Sequence, residues 1–172
     1  MAYSLDELGG AIRRALKEEP GTAGLERARI LLEEALADGG FVAAVFGPER
    51  TQVREVVYED PELGFCICAH VYGDEAHGKP HDHGESWAIY GQAEGTTEMT
   101  DWRIVRPAKD GEPALVEPVR TYRLAPGMAR LYEVGAVHSP SRAGPTKLLR
   151  VEGKNLDHVR RTPIEAVETR PA

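Results

Sequence analysis

The sequence predicts an all-β domain, a barrel or sandwich of short strands, with α-helices ahead of it. Three observations carry this. Apolar residues recur at helical spacing over the first 40 residues; the period changes to two from about Thr51; turn signals then divide the chain into many short extended segments. Short strands at such spacing belong to sandwich and barrel folds.

Ser4, with Glu7 three positions on, forms a capping-box pattern at a helix start. Leu5, Leu8, Ile12 and Ala15 follow on one helical face, and Glu19-Pro20-Gly21 breaks the run. A second helix is expected from about Thr22, with Leu25, Ala28, Leu32 and Leu36 on one side and Gly39-Gly40 as its stop. Farther on, Phe65, Ile67, Ala69 and Val71 alternate with Cys66, Cys68, His70 and Tyr72, which gives a strand two different faces. Further strands are expected over 87–90, 96–105, 116–124, 129–134 and 146–151. Asp60-Pro61, Gly73-Asp74, Asp110-Gly111, Ala125-Pro126-Gly127 and Ala143-Gly144-Pro145 supply the turns. A short helix is expected around 156–161. The whole reads as one domain over 1–172: a helical segment at 1–40, a β-barrel over 51–152 and a charged tail over 153–172.

A formal net charge of −7 argues against a nucleic-acid partner and against an anionic membrane surface. No apolar run approaches the roughly 20 residues of a membrane span. Met1-Ala2-Tyr3-Ser4-Leu5-Asp6 lacks the basic and apolar blocks of a leader. Cys66 and Cys68 are the only cysteines and share a strand face without easy bridging geometry, which fits a reducing cytoplasm. Gly9-Gly10 and Gly39-Gly40 are not part of any phosphate-cradling glycine pattern.

The histidines carry the chemistry. Pro80-His81-Asp82-His83-Gly84 is answered 55 residues later by Gly135-Ala136-Val137-His138. On a strand, His81 and His83 would point to one side and Asp82 to the other. Two imidazoles held so can converge on one metal ion at about 2.1 Å, and His138 from a neighbouring strand would complete the set. Asp82 is then expected in a turn or surface hydrogen bond.

These two stretches resemble the paired motifs of the cupins, jelly-roll barrels also described as double-stranded β-helices. His81, His83 and Gly95 occupy fitting places in the first motif. In the second, Gly127, Gly135 and His138 keep the family's spacing, with Glu133 in the proline position and Arg142 in that of the asparagine. The resemblance runs from about Gly73 to Arg142. The first-motif glutamate falls at Trp87 or Ala88, neither of which binds a metal. Glu85, two residues after His83, is the nearest carboxylate in sequence, a candidate ligand or a group beside or outside the site.

A narrower resemblance links Phe65-Cys66-Ile67-Cys68-Ala69-His70-Val71-Tyr72-Gly73 and the Pro80–Gly84 stretch to the cysteine dioxygenase group of thiol dioxygenases. Those cupins have N-terminal helices and an Fe(II) held by three histidines, with no carboxylate ligand. The resemblance implies that Arg54, in Val53-Arg54-Glu55, receives a substrate carboxylate. It departs at the late strand, where the group carries Ser-x-His-x-Tyr and this chain has Leu148-Leu149-Arg150-Val151-Glu152. Arg150 and Glu152, in those places, would pair with each other or bind a polar group of the substrate.

The resemblance implies a cytoplasmic non-haem Fe(II) dioxygenase that uses O2 on a small anionic organic substrate, a thiol-bearing acid among the candidates. A Zn, Mn or Ni isomerase, hydrolase or lyase, and a non-catalytic metal-dependent small-molecule-binding protein, remain alternatives, because imidazole ligands do not choose among these metals. Pairing through sheets, frequent in cupins, makes a homodimer an expectation. Trp87 and Tyr90 lie on opposite strand faces, so one of them should line the barrel; Tyr132 is a further pocket candidate. His77 reads as an exposed loop residue, His70 as a buried strand residue beside Cys66 and Cys68, and His158 as solvated.

Overall fold

The computed structural model describes residues 4–167. Residues 1–3 of the Met1–Asp6 stretch and residues 168–172 of the tail lie outside the described residues. Helix α1 (Leu5–Glu18) starts at a complete capping box: the Glu7 amide donates to Ser4 Oγ at 3.2 Å, and the Ser4 amide donates to the Glu7 carboxylate at 2.9 Å. Its buried face is Leu8, Gly9, Ile12 and Ala15. Helix α2 (Thr22–Leu36) buries Ala28, Leu31, Leu32, Ala35 and Leu36, leaving Leu25 half-buried. Gly39-Gly40 does not end this helix but opens another, α3 (Gly39–Val45). Asp38 is the reason: its carboxylate accepts from the amides of Gly40 and Phe41 at 2.8 and 3.2 Å. That cap, with burial of Phe41 and Val45, outweighs the helix penalty of about 1 kcal/mol per glycine.

Ten strands follow among the described residues: β1 (Glu55–Glu59), β2 (Cys66–Tyr72), β3 (Ala76–His77), β4 (Ala88–Glu94), β5 (Thr97–Arg106), β6 (Ala114–Leu124), β7 (Ala129–Tyr132), β8 (Val137–Arg142), β9 (Thr146–Glu152) and β10 (Ile164–Ala166). They form two five-stranded sheets, in the orders β1-β2-β9-β4-β7 and β10-β6-β5-β8-β3. Every pairing is antiparallel except β10 with β6. The fold is the expected one, a jelly-roll-like β domain with N-terminal helices. The strand expected to carry His138 had no range in the sequence, because Ser139-Pro140-Ser141 breaks the apolar pattern of β8. The tail forms a 3₁₀ turn at Leu156–His158 and then β10, in place of a helix through Arg161. No helix among the described residues is long and apolar enough to cross a membrane.

Strand alternation separates two interiors. Phe65, Ile67, Ala69, Ile89, Leu149 and Val151 pack beneath the helices with Leu8, Ile12 and Leu32, forming the main apolar core. Each fully buried Leu, Ile, Val or Phe among them contributes about 1.5–3 kcal/mol. Gly91 of β4 permits the close approach, since a Cβ there would lie 2.6 Å from Leu36. The opposite faces of the same strands turn toward the second sheet. There the apolar cluster is small (Ala88, Tyr90, Met99, Leu124 and Tyr132), and His70, Arg150 and Glu152 are buried polar residues. A sheet that is apolar on one face and polar on the other positions the site inside the barrel.

Candidate metal centre

Two histidine segments meet along β8. Strand β3 pairs with it through Ala76↔Arg142 and His77↔Ser141, and the pairing resumes at His81↔His138. Four residues advance on one side against three on the other, which is a bulge. Gly78 sits in it, its amide donating to Pro140 O at 2.7 Å. His81 and His83 therefore do not occupy a regular strand, as the alternation argument assumed. His81 forms an isolated bridge, and Gly84 (φ +56°) turns the chain after His83. A Cβ at Gly84 would stand 2.3 Å from Arg160 O, so glycine lets the tail cross this loop. Asp82 is buried and serves that turn: its carboxylate accepts from the Gly84 amide at 3.2 Å and from the Thr162 amide at 3.1 Å.

The structure brings His81, His83 and His138 together. One ring nitrogen from each lies within 4.8 Å of the others. Nε2 of His83 and Nε2 of His138 are 3.3 Å apart. Two nitrogens each about 2.1 Å from a shared cation stand roughly 3.0–3.4 Å apart, so this pair fits one metal ion. Nδ1 of His81 faces Lys79 O at 3.0 Å, which leaves its Nε2 as the free donor. His83 and His138 are almost completely buried, with Nδ1 of each unpartnered among the described residues. Burial first, then the nearby charge of His81, pushes the His83 ring down to about 3. Burial, then His81 and His83, holds His138 well below its usual range, and burial lowers His81 too. All three rings are neutral at pH 7, the form that ligates metal.

Around the trio, Tyr90 is the aromatic residue that lines the barrel. Its hydroxyl accepts from Arg150 Nη1 at 3.0 Å and lies 3.1 Å from His83 Nε2. The Tyr132 ring rests on His138 with centroids 3.7 Å apart. Its hydroxyl meets that of Tyr122 at 2.7 Å, and Tyr122 donates to Asp101 at 2.9 Å. Trp87 points the other way, into the helix-facing core, where its indole covers Gly153. It is no part of the pocket.

Arg150 and Glu152 pair as expected, Nε to Oε1 at 2.7 Å. Glu152 Oε2 also accepts from Arg54 Nη2 at 2.8 Å and from the Leu156 amide at 2.9 Å. Burial alone would raise the Glu152 carboxyl, but Arg150 and Arg54 outweigh it and hold it at about 2. Arg54 further engages Asn155 and Asp157, so its guanidinium is committed to this network beside the barrel. Glu85 lies outside the histidine group; its side chain is 81% exposed and bonds Lys154 Nζ at 2.8 Å. The loop carrying it leaves regular strand geometry at Gly84, so spacing of two no longer means one face.

Cys66, Cys68 and Glu152 form a second close group, with the sulfurs 3.7 Å apart. The adjacent Cys68 thiol and burial push the Cys66 thiol up, and two guanidinium groups already neutralise Glu152. The histidine trio is thus the set with lone pairs to spare. His70 bonds the Tyr72 hydroxyl at 3.0 Å, His77 is exposed against Ser141, and His158 is exposed.

A cavity of about 160 Å³ opens beside His81, with Tyr72, Tyr90, Arg142, Arg150 and Arg161 among its walls. Sequence reasoning noticed Arg142 only as a departure from the motif asparagine. Nothing local in the charged tail marks Arg161 as a cavity residue.

No protein-family model and no curated protein matches the sequence. Among solved structures the chain is similar to a protein with a double-stranded β-helix domain from Klebsiella pneumoniae (16% identity, 72% of this chain and 88% of that one, TM-score 0.47). It is similar to KdgF from Halomonas sp. (19% identity, 64% and 78%, TM-score 0.42). It also matches the cupin domain of Cnp3 from Schizosaccharomyces pombe (10% identity, 59% and 60%, TM-score 0.44), and so spans less than two thirds of that relative.

Proposed function

We propose that the protein is a mononuclear metal enzyme whose centre, His81, His83 and His138, holds Fe(II), and that it oxidises a small anionic organic substrate with O2. The observation that carries this is the ligand set: three neutral imidazoles within 4.8 Å of one another and no carboxylate among them. Such a set leaves the divalent charge uncancelled, which favours an anion at the metal and leaves positions open. Iron, when bound, supplies electron transfer to dioxygen. The choice of iron follows the thiol dioxygenase resemblance; for a thiol-bearing acid the balance is RSH + O2 → RSO2H, with no further reductant.

The chain's own residues bind, orient and exclude water. The Tyr90 hydroxyl, held by Arg150, is the proton donor beside His83. Tyr132 and Met99, both buried, keep solvent from the opposite side of the barrel.

Elemental analysis of the purified protein, with oxygen-electrode assays on a panel of small organic acids, tests the reading. About one iron per chain and acid-dependent oxygen consumption are expected. Absence of both overturns it, and turnover that persists without oxygen transfers the site to Zn, Mn or Ni chemistry.

A further inference from the structure

The cavity beside His81 is unusual in its charge. Three guanidinium groups reach it, graded from exposed Arg161 through half-buried Arg142 to buried Arg150, and no carboxylate lines it. Arg150 is balanced by Glu152. Arg142 and Arg161 have no carboxylate partner among the described residues. The Arg142 guanidinium stacks on the Tyr72 ring, Cζ 3.8 Å from its centroid, and only its Nε is engaged, by Asp74 O at 3.3 Å. In a chain of net charge −7, two guanidinium groups without a carboxylate partner at one small cavity give that cavity a local positive potential.

Arg161 owes its place to tertiary structure. The tail crosses the histidine loop where Gly84 leaves room for Arg160 O, Thr162 is tied to Asp82, and β10 then joins β6. These three contacts bracket Arg161 and hold it at the cavity mouth.

We infer that the cavity takes a short-chain dicarboxylate. Two free positive groups near the mouth match a molecule that carries two carboxylates, while Arg150, its charge balanced by Glu152, and its Tyr90 partner make the floor polar without adding net charge. A volume of about 160 Å³ equals the share of about five waters, room for roughly five to eight non-hydrogen atoms. Forked N–H donors favour carboxylate oxygens. This deepens the reading above, on which the dicarboxylate's status as substrate rests.

Calorimetric titration of the protein, both metal-free and loaded with Fe(II) under nitrogen, tests it with malonate, succinate and glutarate against propionate, butyrate and inorganic phosphate. At least one dicarboxylate is expected to bind metal-free protein about tenfold or more tightly than either monocarboxylate. Arg142→Gln and Arg161→Gln should each weaken it about tenfold or more. Arg161 is exposed, so its variant keeps the fold, which an unchanged melting temperature confirms. Equal affinity for mono- and dicarboxylates, no loss in either variant, or tighter binding of phosphate than of every dicarboxylate overturns the assignment. Because the metal-free arm reads only the guanidinium groups, its failure is separable from failure of the iron and oxygen-uptake measurements.

Discussion

His81 and His138 exchange both of their backbone hydrogen bonds, His81 N to His138 O and His138 N to His81 O, each at 3.0 Å. Their rings lie on the same side of that bridge, with centroids 4.6 Å apart. Two of the three candidate ligands are thus set against each other by main chain.

Because the bridge is main chain, His138→Ala should remove a ligand while leaving the segments joined. Metal affinity is expected to fall by more than the about 10–100-fold typical for loss of an outer partner. The rise in melting temperature between EDTA-treated and metal-loaded protein should vanish. Retention of the full metal-dependent rise in the variant would remove His138 from the centre.

Acid should destabilise the metal-free protein in a defined window. His70 and His83 both stand at about 3 when folded, in each case chiefly through burial, against about 6.5 unfolded. Between those values the unfolded chain binds more protons, so stability falls as pH falls, by roughly 1 kcal/mol per pH unit for each group. Glu152, held at about 2, adds a loss in the same direction as pH drops below about 4.5. Urea unfolding from pH 7 to pH 4 checks this; a flat profile would contradict it.

Glu152 joins two arginines, one of them buried. Glu152→Gln leaves Arg150 without its counter-charge, and the expected loss is about 3–5 kcal/mol in equilibrium unfolding. A loss below about 1 kcal/mol would mean that water solvates the pair.

Glu85→Gln should do almost nothing. Its bond to Lys154 is at the surface, so stability should change by less than about 0.5 kcal/mol and metal content by nothing measurable. A drop in bound metal would return Glu85 to the ligand set.

The first helix was readable to the residue, because a capping box and an i, i+3, i+4, i+7 face are local facts. The two faces of β2 were equally plain: Ile67 and Ala69 pack beneath the helices, while Cys66, Cys68 and His70 turn inward. Gly39-Gly40 misled, since a glycine pair reads as a stop unless the preceding aspartate is weighed as a cap. Trp87 and Glu85 stayed open in the sequence for a related reason. Motif position assigns a slot in the sequence, but the turn at Gly84 and the start of β4 decide which way the side chain faces.

By itself the sequence determined the fold class, helices ahead of strands, and which three histidines belong together, because periodicity marks local elements and motif spacing marks the two histidine segments. Tertiary structure alone decided that a bulge would carry His81 to His138, that Arg54 would be consumed by Glu152 and Asp157, and that the tail would bring Arg161 to the cavity. Those outcomes depend on strand register and on charge pairs between residues far apart in the chain, and such pairings exist only once the two sheets have closed on each other.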